Sequence, residues 1–478
     1  MSATVKSSFI NGEWLTKTVD DDALIQIRNP WNDEIVFTYA EADHNEIHEA
    51  IQVAQAAAAH ELTPRTRANI LSRASELLAQ RHEEAARLLT LETGKPIRDA
   101  RLEVGRAIAN YKAASEEAAR QHGFTEEQDS VDGERIISMT VKEPLGVICA
   151  ITPFNFPFNI TSLKIGPALA AGNAVILKPA DATPAAGAFI VELMMDAGLP
   201  KGYLNLVFGG ASVGQALVAD PRIALYTFTG SVTVGEDIKA NSGLRPVILE
   251  LGSNAPNIVH HDADLTTTVE ALVKAAFSFA GQVCVSAQRI FVHQDILDSF
   301  LEHFMARVQR LQLGDPMDDA TEVGPLISTN AALRIERWVS EAVTQGAVAL
   351  SGGTREGKLM PPIVLTQVKP DMDVMNKELF GPVVNILSYQ TVNEVIEKCN
   401  DSDFGLQAGV FTNDLQTAFA IAHGLKIGSV NINQSSTARP DSMPYGGIKS
   451  SGIGKEGSRA SIDYMSHTKV ITIRHKLY

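Results

Sequence analysis

The segment Phe279-Ala280-Gly281-Gln282-Val283-Cys284-Val285-Ser286 sets a cysteine behind a Gly-Gln pair and between two valines. A thiolate attacks a carbonyl carbon readily and leaves a thioester as a usable acyl intermediate. A cysteine in a small-residue turn between apolar segments is either buried filler or a positioned nucleophile. Other chemically capable residues stand where apolar runs stop. Thr152-Pro153-Phe154-Asn155-Phe156-Pro157 ends VICAIT, Lys178-Pro179-Ala180 ends AVILKPA, and Phe228-Thr229-Gly230-Ser231 ends ALYTFTG. Leu249-Glu250-Leu251-Gly252 ends VILELG, and Glu378-Leu379-Phe380-Gly381-Pro382 follows later. A carboxylate between Leu249 and Leu251 is costly to bury without a task or a partner. The bland reading of Glu250 is a strand-end side chain in water, and that of Asn155 a turn residue between prolines.

Composition narrows the class. With 478 residues the chain fits two large domains or three unequal ones. Apolar content of 45% and 20% charged residues suit an α/β protein with a sizeable core. A net charge of −15 argues against nucleic acid and anionic membrane surfaces as partners. The N-terminal MSATVKSSFINGEW lacks the basic and apolar regions of a signal peptide, and no stretch is long and apolar enough to span a bilayer. Three cysteines, Cys149, Cys284 and Cys399, cannot build a dense disulfide framework. A cytoplasmic location is expected, where a special cysteine is catalytic more often than bridging. The sequence suggests no metal site.

The elements that must position these residues are legible as periodicity. Residues 9–40 read as short strands and turns, and helical spacing runs from about His44 to Gln121, broken at Gly94-Lys95-Pro96. Gly123 to Gly133 is polar and acidic and reads as an exposed turn before the strand ERIISMTVKEP. From Gly146 short β-branched runs alternate with helical segments, the pattern of a parallel sheet of βαβ units buried on both faces. Ligands bind at the ends of such strands. A second α/β run follows, and the tail MSHTKVITIRHKLY alternates like an exposed strand seeking a partner across a subunit boundary.

Taken in order, PFNFP, KPA, FTGS, LELG, GQxC, ELFGP and PYGGIKSSG resemble the aldehyde dehydrogenase superfamily over nearly the whole chain. The resemblance implies an α/β fold: a Rossmann-like dinucleotide-binding domain (1–122 and 142–248), a catalytic domain (249–440) and a small β oligomerisation extension (123–141 and 459–478). It implies oxidation of a small-molecule aldehyde with NAD, or alternatively NADP, in a homodimer or homotetramer. Cys284 is then the nucleophile, and Asn155 with the Cys284 N–H holds the oxyanion. Glu250 is the base that activates water, which favours a free acid over a coenzyme A ester as product. Thr152, Pro153, Phe154, Lys178, Ala180, Asp181, Gly210, Gly214, Phe228, Thr229, Gly230, Ser231, Leu251, Gly252, Glu378 and Phe380 are the expected cofactor-binding set. Among them Gly230 and Ser231 open a helix whose N-terminus suits a pyrophosphate. Asp181 stands where many NAD-using relatives carry Glu, and a carboxylate there disfavours a 2′-phosphate.

Two departures from the family pattern are Ser253, in place of the second glycine of LELGG, and Phe154, in place of a common Trp. Arg106, Tyr111, Phe156, Val283, Val285 and Arg439 are the expected substrate residues, with Phe158 a further aromatic candidate. Val283 and Val285 are small and apolar, whereas Arg106 and Arg439 lie in regions where some relatives hold a substrate anion. Val283 itself occupies a site where some anion-binding members carry Arg. Solvated or salt-bridged arginines are the bland alternative, and a neutral aliphatic or aromatic aldehyde the alternative substrate. A catalytically silent dinucleotide-binding relative is a third reading.

Overall fold

The computed structural model describes residues 2–120, 123–131 and 135–475. Five short strands make the centre of the first sheet, in the spatial order Val247–Glu250, Leu225–Thr229, Val147–Ile151, Ala174–Lys178 and Leu204–Val207. All four neighbouring pairs are parallel. Every residue of these strands but Thr229 is buried, which explains their unbroken apolar character. The strand Val147–Ile151 has its sequence successor on one side and a later strand, Leu225–Thr229, on the other. The chain therefore reverses direction of build between them, and a crevice opens at that switch point. Ser2–Ile10 extends the sheet antiparallel to Leu204–Val207, and Gly452–Ile453 adds antiparallel to Val247–Glu250.

Two helices bear directly on the site. Asn159–Ala171 is buried along its entire length. Ile97–Ala118 packs on it, presenting Val104, Ala107, Tyr111 and Ala114 inward at helical spacing. Before it, Gly94 ends the helix His82–Thr93 with a left-handed φ of 71°, and Pro96 restarts the chain. Lys95, between them, is turned into the interior at 1% exposure.

The second sheet is parallel around Pro256–Val259, with Arg289–His293 on one side and Gln407–Phe411 on the other. Its core, around Leu272, Ile290, Phe300, Phe304 and Ile335, is separate from that of the first sheet. A third sheet joins Thr125–Asp129, Arg135–Pro144 and Ser466–His475, all antiparallel.

This last sheet corrects one expectation: TEEQD is a strand, not part of a turn. All five of its residues are exposed, so no apolar alternation marks it, and backbone pairing with Arg135–Pro144 alone defines it. Residues 132 and 133 of the expected turn and residue 134 of the expected strand lie outside the described residues, as does Gln121 of the expected helical end. Val470, Ile471 and Ile473 on the outer strand are exposed. Among the described residues no helix is long and apolar enough to cross a membrane.

Candidate active site

A cleft of about 750 Å³ opens at the C-terminal ends of the first sheet. Thr152, Pro153, Phe154, Lys178, Ala180, Asp181, Gly210, Gly214, Phe228, Thr229, Gly230, Ser231, Leu251, Glu378 and Phe380 all line it, together with Asn155, Phe156 and Cys284. Gly252 shapes the wall without lining it. A Cβ there would stand 2.8 Å from Glu378 Oε2, so a bare backbone lets that carboxyl approach. The Ser253 N–H donates to Glu378 Oε1 at 3.0 Å. Burial pushes the Glu378 carboxyl up to about 7, against the pull of that hydrogen bond and of Arg334.

Several polar groups converge on the cleft. Ser231 caps the helix Val232–Asn241, and the helix Ala211–Ala219 starts at Gly210, so two helix N-termini face the space. The hydroxyls of Thr152 and Thr229 are buried without a hydrogen-bond partner, an unusual state that a bound group would relieve. Lys178 Nζ lies 3.2 Å from Asp181 Oδ1. Glu41, not singled out from sequence, accepts from the Gly210 N–H at 2.8 Å and adds a second carboxylate at that end.

The cysteine loop is held by backbone geometry that few sequences tolerate. After the helix Leu265–Phe277, residues Phe279, Ala280 and Gly281 are all left-handed, with φ of 49°, 51° and 69°. For the two non-glycine residues this costs about 1–3 kcal/mol each, strain characteristic of functional loops. A Cβ on Gly281 would meet the Gly381 carbonyl oxygen at 2.1 Å, so this glycine is what joins the cysteine loop to the Glu378 loop. Asn155 Nδ2 donates to the Gln282 carbonyl at 3.0 Å, leaving a second N–H for another acceptor, and Asn155 and Cys284 line the same cleft.

Cys284 is partly exposed, whereas Cys149 and Cys399 are buried. Burial, Glu378 and Glu250 push the Cys284 thiol up to about 12, opposed by Arg439 and by a hydrogen bond from the Tyr445 hydroxyl. In the cofactor-free protein, alkylation by iodoacetamide should be slow at neutral pH. Its rate should climb about tenfold per pH unit toward pH ~11, and label one site. Mass spectrometry of the labelled peptide checks this; a rate that levels off below about pH 8 would contradict the desolvated thiol.

Glu250 is 4% exposed, and neither carboxyl oxygen has a hydrogen-bond partner. Burial first, then Glu456, push it well above the usual carboxylate range, while Arg439, Lys164 and Lys455 pull the other way. Lys164, fully buried, pairs with Glu456 at 2.7 Å and reaches Thr227 Oγ1 at 3.1 Å. Sequence reasoning missed Lys164, Tyr445 and Glu456. A lone lysine in the apolar run SLKIGPALAAG was the available signal for the first.

The expected substrate residues do not form one wall. Phe156 lines the cleft, but Val283 and Val285 do not, and they pack with Leu406, Tyr445 and Cys284 in a small apolar cluster. Tyr111 is fully buried and packs against Gly166. Arg106 donates two hydrogen bonds to Asp441, at 2.8 and 2.7 Å. Arg439 stacks 3.7 Å above the Tyr445 ring, 3.3 Å from Asp441 and 3.5 Å from Glu456. Its Nε and Nη2 make no hydrogen bond. Away from the cleft, His260, His261 and Asp262 cluster, yet both Asp262 carboxylate oxygens already accept from Thr412 and Asn413.

The Aldehyde dehydrogenase family model matches residues 15–471. The chain is 43% identical over 467 residues to 3-sulfolactaldehyde dehydrogenase of Priestia aryabhattai, covering 97% of each chain. It is 37% identical over 475 residues to lactaldehyde dehydrogenase of Methanococcus aeolicus, covering 98% of this chain and 100% of that one. Its structure resembles that of the glyceraldehyde-3-phosphate dehydrogenase of Methanocaldococcus jannaschii complexed with NADP. That match has a TM-score of 0.91 and 36% identity, over 94% of this chain and 99% of that one.

Proposed function

We propose that this chain, which belongs to the aldehyde dehydrogenase family, oxidises a small anionic aldehyde to the free acid. It is an NAD(P)-dependent dehydrogenase by family, and every catalytic role below is our reading of its site. Cys284 gives up its proton to solvent, and the resulting thiolate adds to the aldehyde carbon, forming an S–C bond and an oxyanion. The free N–H of Asn155 Nδ2 and the Cys284 backbone N–H hold that oxyanion. A dinucleotide held in the cleft would supply the hydride acceptor. With the hydride gone, a thioester remains on Cys284. Glu250 then takes a proton from water, hydroxide adds to the thioester carbon, and the thiolate leaves with release of the acid.

The dinucleotide would be held by the two helix N-termini, Lys178, the unpartnered Thr152 and Thr229 hydroxyls, Glu378 and Phe380. Asp181 and Glu41 at one end of the cleft support NAD over NADP, because a 2′-phosphate would meet two carboxylates. We read residues 1–122 and 142–248 as the dinucleotide-binding part and 249–440 as the catalytic part. The segments 123–141 and 459–478 would be the surface through which copies associate, as dimer or tetramer. Ser466–His475 leaves one edge unpaired among the described residues.

One observation carries the substrate reading. Arg439 stacks on the ring whose hydroxyl donates to Cys284 sulfur, and its Nε and Nη2 face Asp441 and Glu456 carboxylate oxygens at 3.3 and 3.5 Å without hydrogen-bond geometry. A guanidinium held loosely by two carboxylates thus stands one ring from the proposed nucleophile, and a sulfonate, phosphate or carboxylate with better hydrogen-bond geometry would compete for it. The name of the 3-sulfolactaldehyde relative is consistent with this. A neutral hydroxy-aldehyde is the second reading, supported by the Asp441 carboxylate that already occupies Arg106 and by the lactaldehyde relative.

A panel of sulfo-, phospho-, carboxy-, hydroxy- and simple aldehydes, run with NAD and with NADP, tests both. Reduced nicotinamide absorbance should rise fastest with an anionic aldehyde and NAD. Arg439→Ala should raise KM for that substrate about 10- to 100-fold, the worth of a charge-assisted hydrogen bond. It should leave acetaldehyde within about threefold; equal effects on both substrates would sink the anion reading.

A further inference from the structure

Lys95 and Glu103 form an ion pair in which both side chains are at most 1% exposed, behind the two loops that carry Asn155 and Cys284. Lys95 Nζ also donates to the Asn155 carbonyl at 2.5 Å. The same nitrogen lies over two rings, 3.9 Å from the centroid of Phe156 and 4.6 Å from that of Phe279. Phe156 follows Asn155 on one loop, and Phe279 opens the left-handed run that leads to Cys284 on the other. Glu103 Oε1 meanwhile accepts from the Phe158 and Asn159 N–H groups, at 2.9 and 3.2 Å, at the start of the buried helix Asn159–Ala171. Asp99, one turn earlier on the helix of Glu103, accepts from the Phe279 N–H.

We propose that the buried Lys95 ammonium is a positioning residue that clamps the Asn155 loop to the cysteine loop and so sets the oxyanion site. A buried ammonium needs a charge partner and donors satisfied on all sides, and here each of those partners belongs to an element of the site. If burial alone were served, an apolar residue would fill the same volume at no electrostatic cost. The arrangement locks Asn155 from its backbone side while Gln282 locks it from its side chain. The clamp rests on the reading of Cys284 as nucleophile and Asn155 as oxyanion donor.

The test variant is Lys95→Met/Glu103→Gln. It removes both charges together and keeps an acceptor oxygen for Phe158 and Asn159. The protein should melt within about 5 °C of wild type and bind NAD within about twofold. Its kcat should fall about 100-fold, the effect of a misplacement of about 1 Å at a reacting centre, with little change in the aldehyde KM. An aldehyde deuterated at the reacting carbon should then show a primary isotope effect on kcat, because hydride transfer has become rate-limiting. Wild-type kcat without an isotope effect overturns the clamp, and so does a folded variant whose kcat falls only in step with its NAD binding. Should that double variant fail to fold, Phe279→Leu removes one wall with the ion pair intact and is read by the same isotope effect. Cys284→Ser and Asn155→Ala run alongside as controls. Normal turnover in either removes the site reading itself, whereas two dead controls beside a fully active Lys95 variant remove only the clamp.

Discussion

Cys284→Ser should abolish aldehyde oxidation, lowering turnover on the order of 10⁵-fold or more, as nucleophile removal does in covalent enzymes. NAD binding, followed by protein fluorescence or calorimetry, should stay within about twofold, because the cleft is lined mainly by the strand ends of the first sheet and the loops and helices that follow them. Serine fails for a physical reason. Its hydroxyl is far less acidic than the thiol it replaces, and no base is hydrogen-bonded to position 284. The surroundings worsen this, since Glu378 and Glu250 already oppose a negative charge there. Substantial activity in this variant would remove the nucleophile from the proposal.

The second large effect is Glu250→Gln. Acylation and hydride release should survive, giving one equivalent of reduced nicotinamide in a rapid burst. Steady turnover should fall by about 10²–10⁴-fold, the range for loss of a general base. The pH dependence follows from the burial. As the proposed base, Glu250 would work only when ionised, and burial holds its carboxyl well above the ordinary carboxylate range. The wild-type deacylation rate should therefore rise with pH through a region above that range and flatten once Glu250 is charged. Below it the burst should persist while turnover stops. A burst-free, normal steady state in Glu250→Gln would hand the base role to another group.

Much of this was readable beforehand because a parallel sheet puts its ligand-binding residues at strand ends, and strand ends are marked where apolar runs stop. Glu250, Lys178 and Thr229 are legible for that reason. What escaped shares a different cause. Lys164 meets Glu456, and Arg106 meets Asp441, across intervals of 292 and 335 residues that no local pattern encodes. From sequence Arg106 is a free cation at a suggestive place; in the fold it already has a carboxylate. Lys95 was read only as part of a helix break, because Gly94 and Pro96 dominate that tripeptide. The strand TEEQD was hidden because strands that pair only through their backbone leave side chains without a periodic code.

The two-residue strand Gly452–Ile453 has a consequence for how the protein comes into being. It pairs with Leu249 and Glu250, so the edge of the first sheet beside the proposed base is finished by residues some two hundred positions later. The helix Ser458–Tyr464 then packs on Asn159–Ala171, and Asn173 donates to the Met465 carbonyl. During synthesis the first sheet can collapse early, but its Glu250 edge stays open until residue 465 has left the ribosome. Contacts this distant in sequence form late and slowly. The nascent chain thus carries the proposed nucleophile and base beside an unfinished sheet edge, which residues 452–465 close.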